Sequence, residues 1–107
     1  MNESAQYLYL TTTGRLTGQE REIEIWFIEH DQRFYLMAEH RERAQWVRNI
    51  QVHPVVTIRV GERRLEGTAR VIRDHDDPKL TSAVNALFDA KYGWSDGLVV
   101  QLEASKA

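Results

Sequence analysis

The sequence predicts a small antiparallel β-barrel carrying two helices, a mainly β architecture of the α+β class, and three observations predict it. Six short segments are rich in β-branched and aromatic residues. The links between consecutive segments are often short and polar, which favours hairpins over parallel crossovers. Only two stretches change to helical spacing. With 107 residues and 42% hydrophobic content, the chain has material for one core, so a single domain over 1–107 is expected.

The elements follow in order. Tyr7 to Thr13 (YLYLTTT) reads as a strand that breaks into a turn at Gly14. In Glu22 to Glu29 (EIEIWFIE), Ile23, Ile25 and Phe27 alternate with Glu22, Glu24 and Trp26, giving a half-buried strand with a tryptophan on its polar face. His30-Asp31-Gln32-Arg33 links it to Phe34 to Ala38 as a hairpin. Between Glu39 and His53 the spacing becomes helical, with Ala44, Val47 and Ile50 on one stripe and Trp46 beside it; Pro54 stops the helix. Val55 to Val60 and Leu65 to Ile72 form a second hairpin across Gly61-Glu62-Arg63-Arg64. Asp77 before Pro78 marks a helix start, Leu80, Val84, Leu87 and Phe88 supply its apolar stripe, and Gly93 after Tyr92 supplies a left-handed stop. Leu98 to Leu102 (LVVQL) is the last strand.

Composition narrows the function. Lys and Arg total 14 against 16 Asp and Glu, a net charge of -2, so nucleic acid is not an expected partner. The distribution is uneven: five arginines accompany two glutamates from Arg59 to Arg73, and five aspartates accompany two lysines from Asp74 to Asp96. Cysteine is absent, which removes disulfides, thiol nucleophiles and thiolate metal sites and points to the cytoplasm. No apolar run approaches a bilayer span, and Met1-Asn2-Glu3-Ser4 lacks the regions of a signal peptide, so neither secretion nor membrane insertion is expected. His30, His40, His53 and His75 fit no metal spacing, and Ser4, Ser82, Ser95 and Ser105 lie in no nucleophile motif. The acids Asp74, Asp76 and Asp77 lack calcium-loop spacing and read as helix capping.

The loop Thr11-Thr12-Thr13-Gly14-Arg15-Leu16-Thr17-Gly18 carries more information. Glycines allow backbone amides to approach an anion, Thr17 adds a hydroxyl donor, and Arg15 and Arg21 add charge. A plain hairpin connection is the competing reading.

TTTGRLTGQEREIEIWF, followed by YLMAE, WVRNIQVHPVVTIRV and KYGWSDGLVVQL, resembles the deazaflavin-dependent nitroreductase and quinone-reductase family, whose pattern is TTTGRxSG, a W-x-x-N helix and then NP-V-V. The resemblance covers most of the chain. It implies a split β-barrel of the flavin-binding superfamily that includes pyridoxamine-phosphate-oxidase-like proteins. It further implies reduced F420, or alternatively FMN, as hydride donor to a small-molecule electron acceptor of quinone or nitro type. By position, Arg15, Thr17 and Gly18 match the phosphate loop, with Arg21 close behind, while Trp46 and Asn49 match the helix motif and would shape the ring pocket. Core packing by Trp46 and helix capping by Asn49 are the competing readings.

The chain departs from the family pattern at two places. Leu16 stands where the family commonly has Lys or Arg, and Ala38 to Arg43 is shorter and more charged than the usual loop over the cofactor. Leu16 therefore favours the alternative of a non-catalytic cofactor-binding or dimeric interaction module. A barrel this short is expected to form a homodimer with the site between subunits. Trp26, large and set among acids, suits a subunit contact better than a ligand wall, and Trp94 shares that ambiguity.

Overall fold

The structure is a computed structural model that describes residues 5–105; the Met1-Asn2-Glu3-Ser4 segment read above, and Lys106, lie outside the described residues. Six strands and two helices follow one another as β1 (Tyr7–Thr13), β2 (Glu20–His30), β3 (Arg33–Ala38), α1 (Gln45–Val52), β4 (Val55–Val60), β5 (Arg63–Ile72), α2 (Pro78–Tyr92) and β6 (Leu98–Ala104). The strands close into a barrel in the order β1-β2-β3-β6-β5-β4, with every neighbour antiparallel. The expected six-stranded antiparallel barrel with two helices is the observed fold.

Strand alternation fills the barrel. Leu8 and Leu10 of β1, Phe27 of β2, Phe34 and Leu36 of β3, and Val56, Ile58 and Val60 of β4 meet in its interior with Val100 and Leu102 of β6. Ile23 and Ile25 pack against the same cluster, so the alternation read in β2 assigns its inner face correctly. Tight turns set the registers. Asp31 (φ 56°) and Gln32 (φ 67°) both adopt the left-handed region that a two-residue hairpin of this twist needs, and Gly61 (φ 58°) opens the turn from β4 to β5.

The region read as one helix between Glu39 and His53 divides. Arg41 to Arg43 form a single 3-10 turn, Ala44 is extended, and the α-helix itself starts at Gln45. Arg41 at φ 53° and the extended Ala44 interrupt the ladder. Ile50 of α1 enters the barrel cluster and Val47 packs with Ala38 and Leu98, so α1 closes one end of the barrel.

The longer helix α2 begins as its sequence predicts, with the Asp77 carboxylate accepting the Leu80 amide at 3.2 Å, and ends at Gly93 in the left-handed region. Its inward stripe is the half-buried Leu80 with the buried Val84 and Phe88; Leu87, expected in that stripe, is exposed. The spacing i, i+4, i+8 keeps Leu80, Val84 and Phe88 on one face, and Leu87, three residues after Val84, sits at the margin of that face. This face covers Ile28, Tyr35, Met37 and Ile72 on the outside of the barrel.

The end of α2 is clamped to β2. The Tyr92 hydroxyl accepts the Phe27 amide at 3.0 Å and has the carbonyl oxygens of Gln6 and Phe27, each at 2.8 Å, as acceptors for its own proton. Lys91 donates to the Phe27 carbonyl at 2.9 Å with its ammonium 4.0 Å from the Phe27 ring centroid. Burial pushes the Tyr92 hydroxyl above the ordinary tyrosine value of 10.0. Its contribution to stability is therefore complete below pH 10.0 and is lost as pH rises through the folded-state value. Tyr92→Phe is expected to cost about 1–3 kcal/mol in urea denaturation at neutral pH, because the Phe27 amide loses its acceptor. The gap between the two proteins should narrow above pH 10.0; a constant gap would refute the role given to the Tyr92 proton.

Candidate functional site

Between β1 and β2 the chain makes one tight turn. The Gly18 amide donates to the Gly14 carbonyl at 2.8 Å, the Gly14 amide to the Gln19 carbonyl at 2.8 Å, and the Gln19 amide to Thr17 Oγ1 at 3.2 Å. Its two glycines serve different needs. A Cβ at Gly14 would stand 2.9 Å from Thr17 Oγ1 and 3.2 Å from the Gln19 carbonyl oxygen, so closeness forbids a side chain there. Gly18 has open space around it but sits at φ 75°, where other residues are strained.

The turn is tied to α1 by Asn49. Only 7% exposed, Asn49 accepts at Oδ1 from both the Arg15 amide (3.1 Å) and Arg15 Nη1 (2.9 Å). The W-x-x-N pattern thus positions the loop: Asn49 acts between the loop and the helix, and α1 presents it because Val47 and Ile50 bury the adjoining face.

Arg15, Thr17, Arg21 and Asn49, together with Leu16 and Gln45, line a groove of about 260 Å³ with no carboxylate in its walls. Among the described residues Arg15 and Arg21 have no acidic partner, which is also true of Arg43, Arg48, Arg63, Arg64 and Arg70, whereas Arg33, Arg41, Arg59 and Arg73 are paired with Glu103, Asp96, Glu22 and Glu42. The amides of Leu16 and Thr17 likewise have no acceptor among the described residues. Two guanidinium groups without a carboxylate partner, two amides without an acceptor and a hydroxyl, all on residues that line an acid-free groove, suit a phosphate-like anion. Four of the six residues carried over from the family pattern, Arg15, Thr17, Arg21 and Asn49, meet here. Gly18 shapes the turn. Trp46 stands apart from the groove, half-buried against the barrel interior and the Ala38, Val47, Leu98 cluster. Gln45 escaped sequence reasoning; its signal was its position four residues before Asn49, on the same helical face.

A second cleft opens at the other end of the β1-β2 hairpin, walled in part by Trp26 and Trp94. Trp26 stacks on Tyr92 of its own chain, with ring centroids 4.3 Å apart and planes 6° from parallel, so α2 occupies one of its faces. Trp94 meets Trp26 edge-on at 6.4 Å. Among the described residues no group of three or more His, Asp or Glu is placed to hold a metal ion, and no helix is long and apolar enough to cross a membrane.

The family model described as F420H(2)-dependent quinone reductase matches residues 2–96. No curated protein matches the chain. Three solved structures illustrate the fold. HutZ, a heme storage protein from Vibrio cholerae, superposes with a TM-score of 0.81 at 16% identity, covering 99% of this chain and 86% of that one. A proposed pyridoxamine 5'-phosphate oxidase from Listeria innocua gives 0.77 at 11% identity, covering 97% and 87%. An F420-H2 dependent reductase, FDR-A, gives 0.62 at 21% identity, covering 91% and 93%. These structures establish the split-barrel fold of the pyridoxamine-phosphate-oxidase type.

The Asn49 tie carries its own consequence. Asn49→Ala removes both acceptor contacts to Arg15, so the Arg15 amide should exchange its hydrogen faster and the protein should lose about 1–3 kcal/mol in chemical denaturation. Hydrogen exchange at Arg15 unchanged from wild type would show that the loop holds its shape without α1.

Proposed function

The chain belongs to the F420H2-dependent quinone reductase family, and from that premise we propose that it holds reduced F420 by its phosphate at the Gly14–Gly18 loop and serves hydride transfer to a small quinone- or nitro-type acceptor in the cytoplasm. The observation that carries this reading is the acid-free groove on which Arg15 and Arg21 converge. A cofactor phosphate fits those residues: Arg15 and Arg21 supply charge-assisted donors, Thr17 a hydroxyl, and the Leu16 and Thr17 amides two backbone donors. When bound, the reduced deazaflavin supplies the hydride, so the chain needs no nucleophile of its own.

The protein's part is binding and orientation. Asn49 holds Arg15 in place before any ligand arrives, which lowers the ordering cost of binding. Trp46 supports this from behind by packing α1 on the barrel. At about 260 Å³ the groove is smaller than the ~300–1,000 Å³ of pockets that enclose whole ligands. It suits the phosphate end, and the ring needs a further wall. A second copy of the chain would supply that wall in a homodimer, and Val52 and Val55, 56% and 64% exposed around Pro54, offer apolar surface for the contact.

A second reading rests on Leu16, which projects from the loop with 86% exposure where the family commonly carries a cation. With that contact missing, a protein that binds cofactor without turnover is the competing function.

Titration with F420 and with FMN, followed by tryptophan quenching, tests these readings. F420 is expected to bind below about 100 µM, an association of about 5–6 kcal/mol. Arg15→Ala and Arg21→Ala should each weaken it roughly 10–100-fold, as expected for a charged hydrogen bond, and Arg64→Ala on exposed β5 should leave it unchanged. No F420 binding in that range overturns the proposal, and binding of FMN alone reassigns the groove to a flavin. Binding of F420H2 without reduction of menadione supports the second reading. Sedimentation should give twice the chain mass of 12.5 kDa.

A further inference from the structure

We infer that the groove that α1 forms with β5 and β6 is a binding site for a small monocarboxylate with an apolar body. Its volume, about 630 Å³, falls within the ~300–1,000 Å³ of ligand pockets. Ile50, Pro54 and Val71 supply apolar lining, and Arg70, Gln101 and Gln51 supply polar lining.

The polar part is ordered from inside the fold. Tyr35 of β3, Gln101 of β6 and Arg70 of β5 stand in one row across three strands, on the outer face that α2 covers at Tyr35. Gln101 is only 8% exposed, and both ends of its amide are engaged: Nε2 donates to the Tyr35 hydroxyl at 3.0 Å and Oε1 accepts from Arg70 Nη2 at 3.4 Å. A buried amide whose nitrogen is committed to Tyr35 turns its oxygen toward the strand that carries Arg70. The guanidinium is thereby held at one nitrogen, with four of its five N–H donors left for a ligand. A planar group anchored in this way matches a carboxylate, which it binds through two parallel hydrogen bonds. Lack of an acidic partner is common to several arginines of this chain; what sets Arg70 apart is the buried amide that anchors it in a groove.

The other charges of the groove are engaged. Arg73 pairs with Glu42, and Glu103 pairs with Arg33 at 3.2 Å. One positive charge therefore remains, which suits a single carboxylate, whereas a phosphate dianion would bring a second negative charge into a groove that Glu103 also lines. An apolar body against Ile50, Pro54 and Val71 adds the hydrophobic contribution that a bare anion lacks.

This groove shares no lining residue with that of Arg15 and Asn49 or with the Trp26 and Trp94 cleft, so the inference does not rest on the cofactor reading. NMR titration of the backbone amides of the full chain with benzoate, benzamide and benzamidinium, an anion, a neutral molecule and a cation of nearly one shape, tests it. Benzoate should bind with a Kd of about 1 mM or lower, at least about ten-fold more tightly than benzamide, and benzamidinium more weakly than both. The shifts should concentrate at Gln51, at Arg70 and its neighbours on β5, and at Gln101. Acetate should bind more weakly than benzoate. Arg70→Gln, at an exposed position, should weaken benzoate at least about ten-fold and leave F420 affinity as in wild type, and Arg15→Ala should leave benzoate unchanged. Gln51→Glu, which adds a like charge from exposed α1, gives the same direction should Arg70→Gln disturb the fold. Equal affinity for benzoate and benzamide, no benzoate binding at about 10 mM, shifts confined to the Gly14–Gly18 loop, or benzoate binding that survives both Arg70→Gln and Gln51→Glu would overturn the inference.

Discussion

Closure of the sheet through three residue pairs between β1 and β4 is the constraint on which the rest of the molecule depends: Tyr9 with Arg59, Leu10 with Ile58, and Thr11 with Thr57. Without it, β1 and β4 would both be open edges and Leu8, Leu10, Val56 and Ile58 would lose one side of their enclosure. The pairing is short, and that shortness matters as much as its existence. β1 is bonded to β2 along its whole length but to β4 only at its centre, so both ends of the hairpin leave the closed ladder. Each helix docks at one of these departures. At the Gly14 end the loop reaches α1 through Asn49, and at the Tyr7 end β2 runs on to Phe27, whose amide and carbonyl are taken up by Tyr92 and Lys91 of α2.

The two docking points are unequal in chemistry. Asn49 is a buried acceptor that stabilises the chain only while Arg15 supplies its donors, so the packing of α1 and the shape of the loop are one energetic unit. The Arg15 side chain still lines the groove, and Arg21 beside it has no acid within the described residues. Elsewhere Arg33 of β3, Arg59 of β4 and Arg73 just after β5 pair with glutamates on other elements, in exposed pairs that contribute little to stability, while Arg63, Arg64 and Arg70 of β5 have no acidic partner among the described residues. What distinguishes Arg15 and Arg21 is therefore neither their charge nor the lack of an acid alone but their shared place in one groove whose walls carry no carboxylate.

Much of the fold was legible because it is written locally. The aromatic and β-branched run YLYLTTT marked β1, alternation in EIEIWF assigned the inner face of β2 correctly, Asp77-Pro78 and Gly93 marked the ends of α2, and Pro54 marked the end of α1. The break at Arg41 to Ala44 was not legible, because it is a backbone conformation that no periodicity encodes. The Asp31-Gln32 turn was read as a hairpin from its short polar link, although it lacks the glycine or asparagine that usually announces a turn of its kind. Trp26 looked like a surface aromatic because its partner Tyr92 is 66 positions away in the chain, a distance that alternation along one strand cannot span. For the site, the resemblance supplied Arg15, Thr17, Arg21 and Asn49, but only the structure shows that Asn49 meets Arg15. The same family pattern sets Trp46 at the ring pocket, and the contacts the structure gives it are with the core, the packing role that its aromatic body also suggested.

The near-neutral net charge of -2 takes a different meaning from this geometry. One end of the β1-β2 hairpin presents a groove walled by Arg15 and Arg21 without an acid, and the other a cleft walled by Glu24 and Glu39 without a base. Arg21 and Glu24 stand only three residues apart on β2, roughly 10 Å at strand rise, which is close to the screening length of about 8 Å at physiological ionic strength. The two charges therefore feel each other along β2, and what keeps the groove and the cleft of opposite character is the composition of their walls. The net charge of the chain averages over both, and for that reason it is a poor guide to the field that a ligand meets at either one.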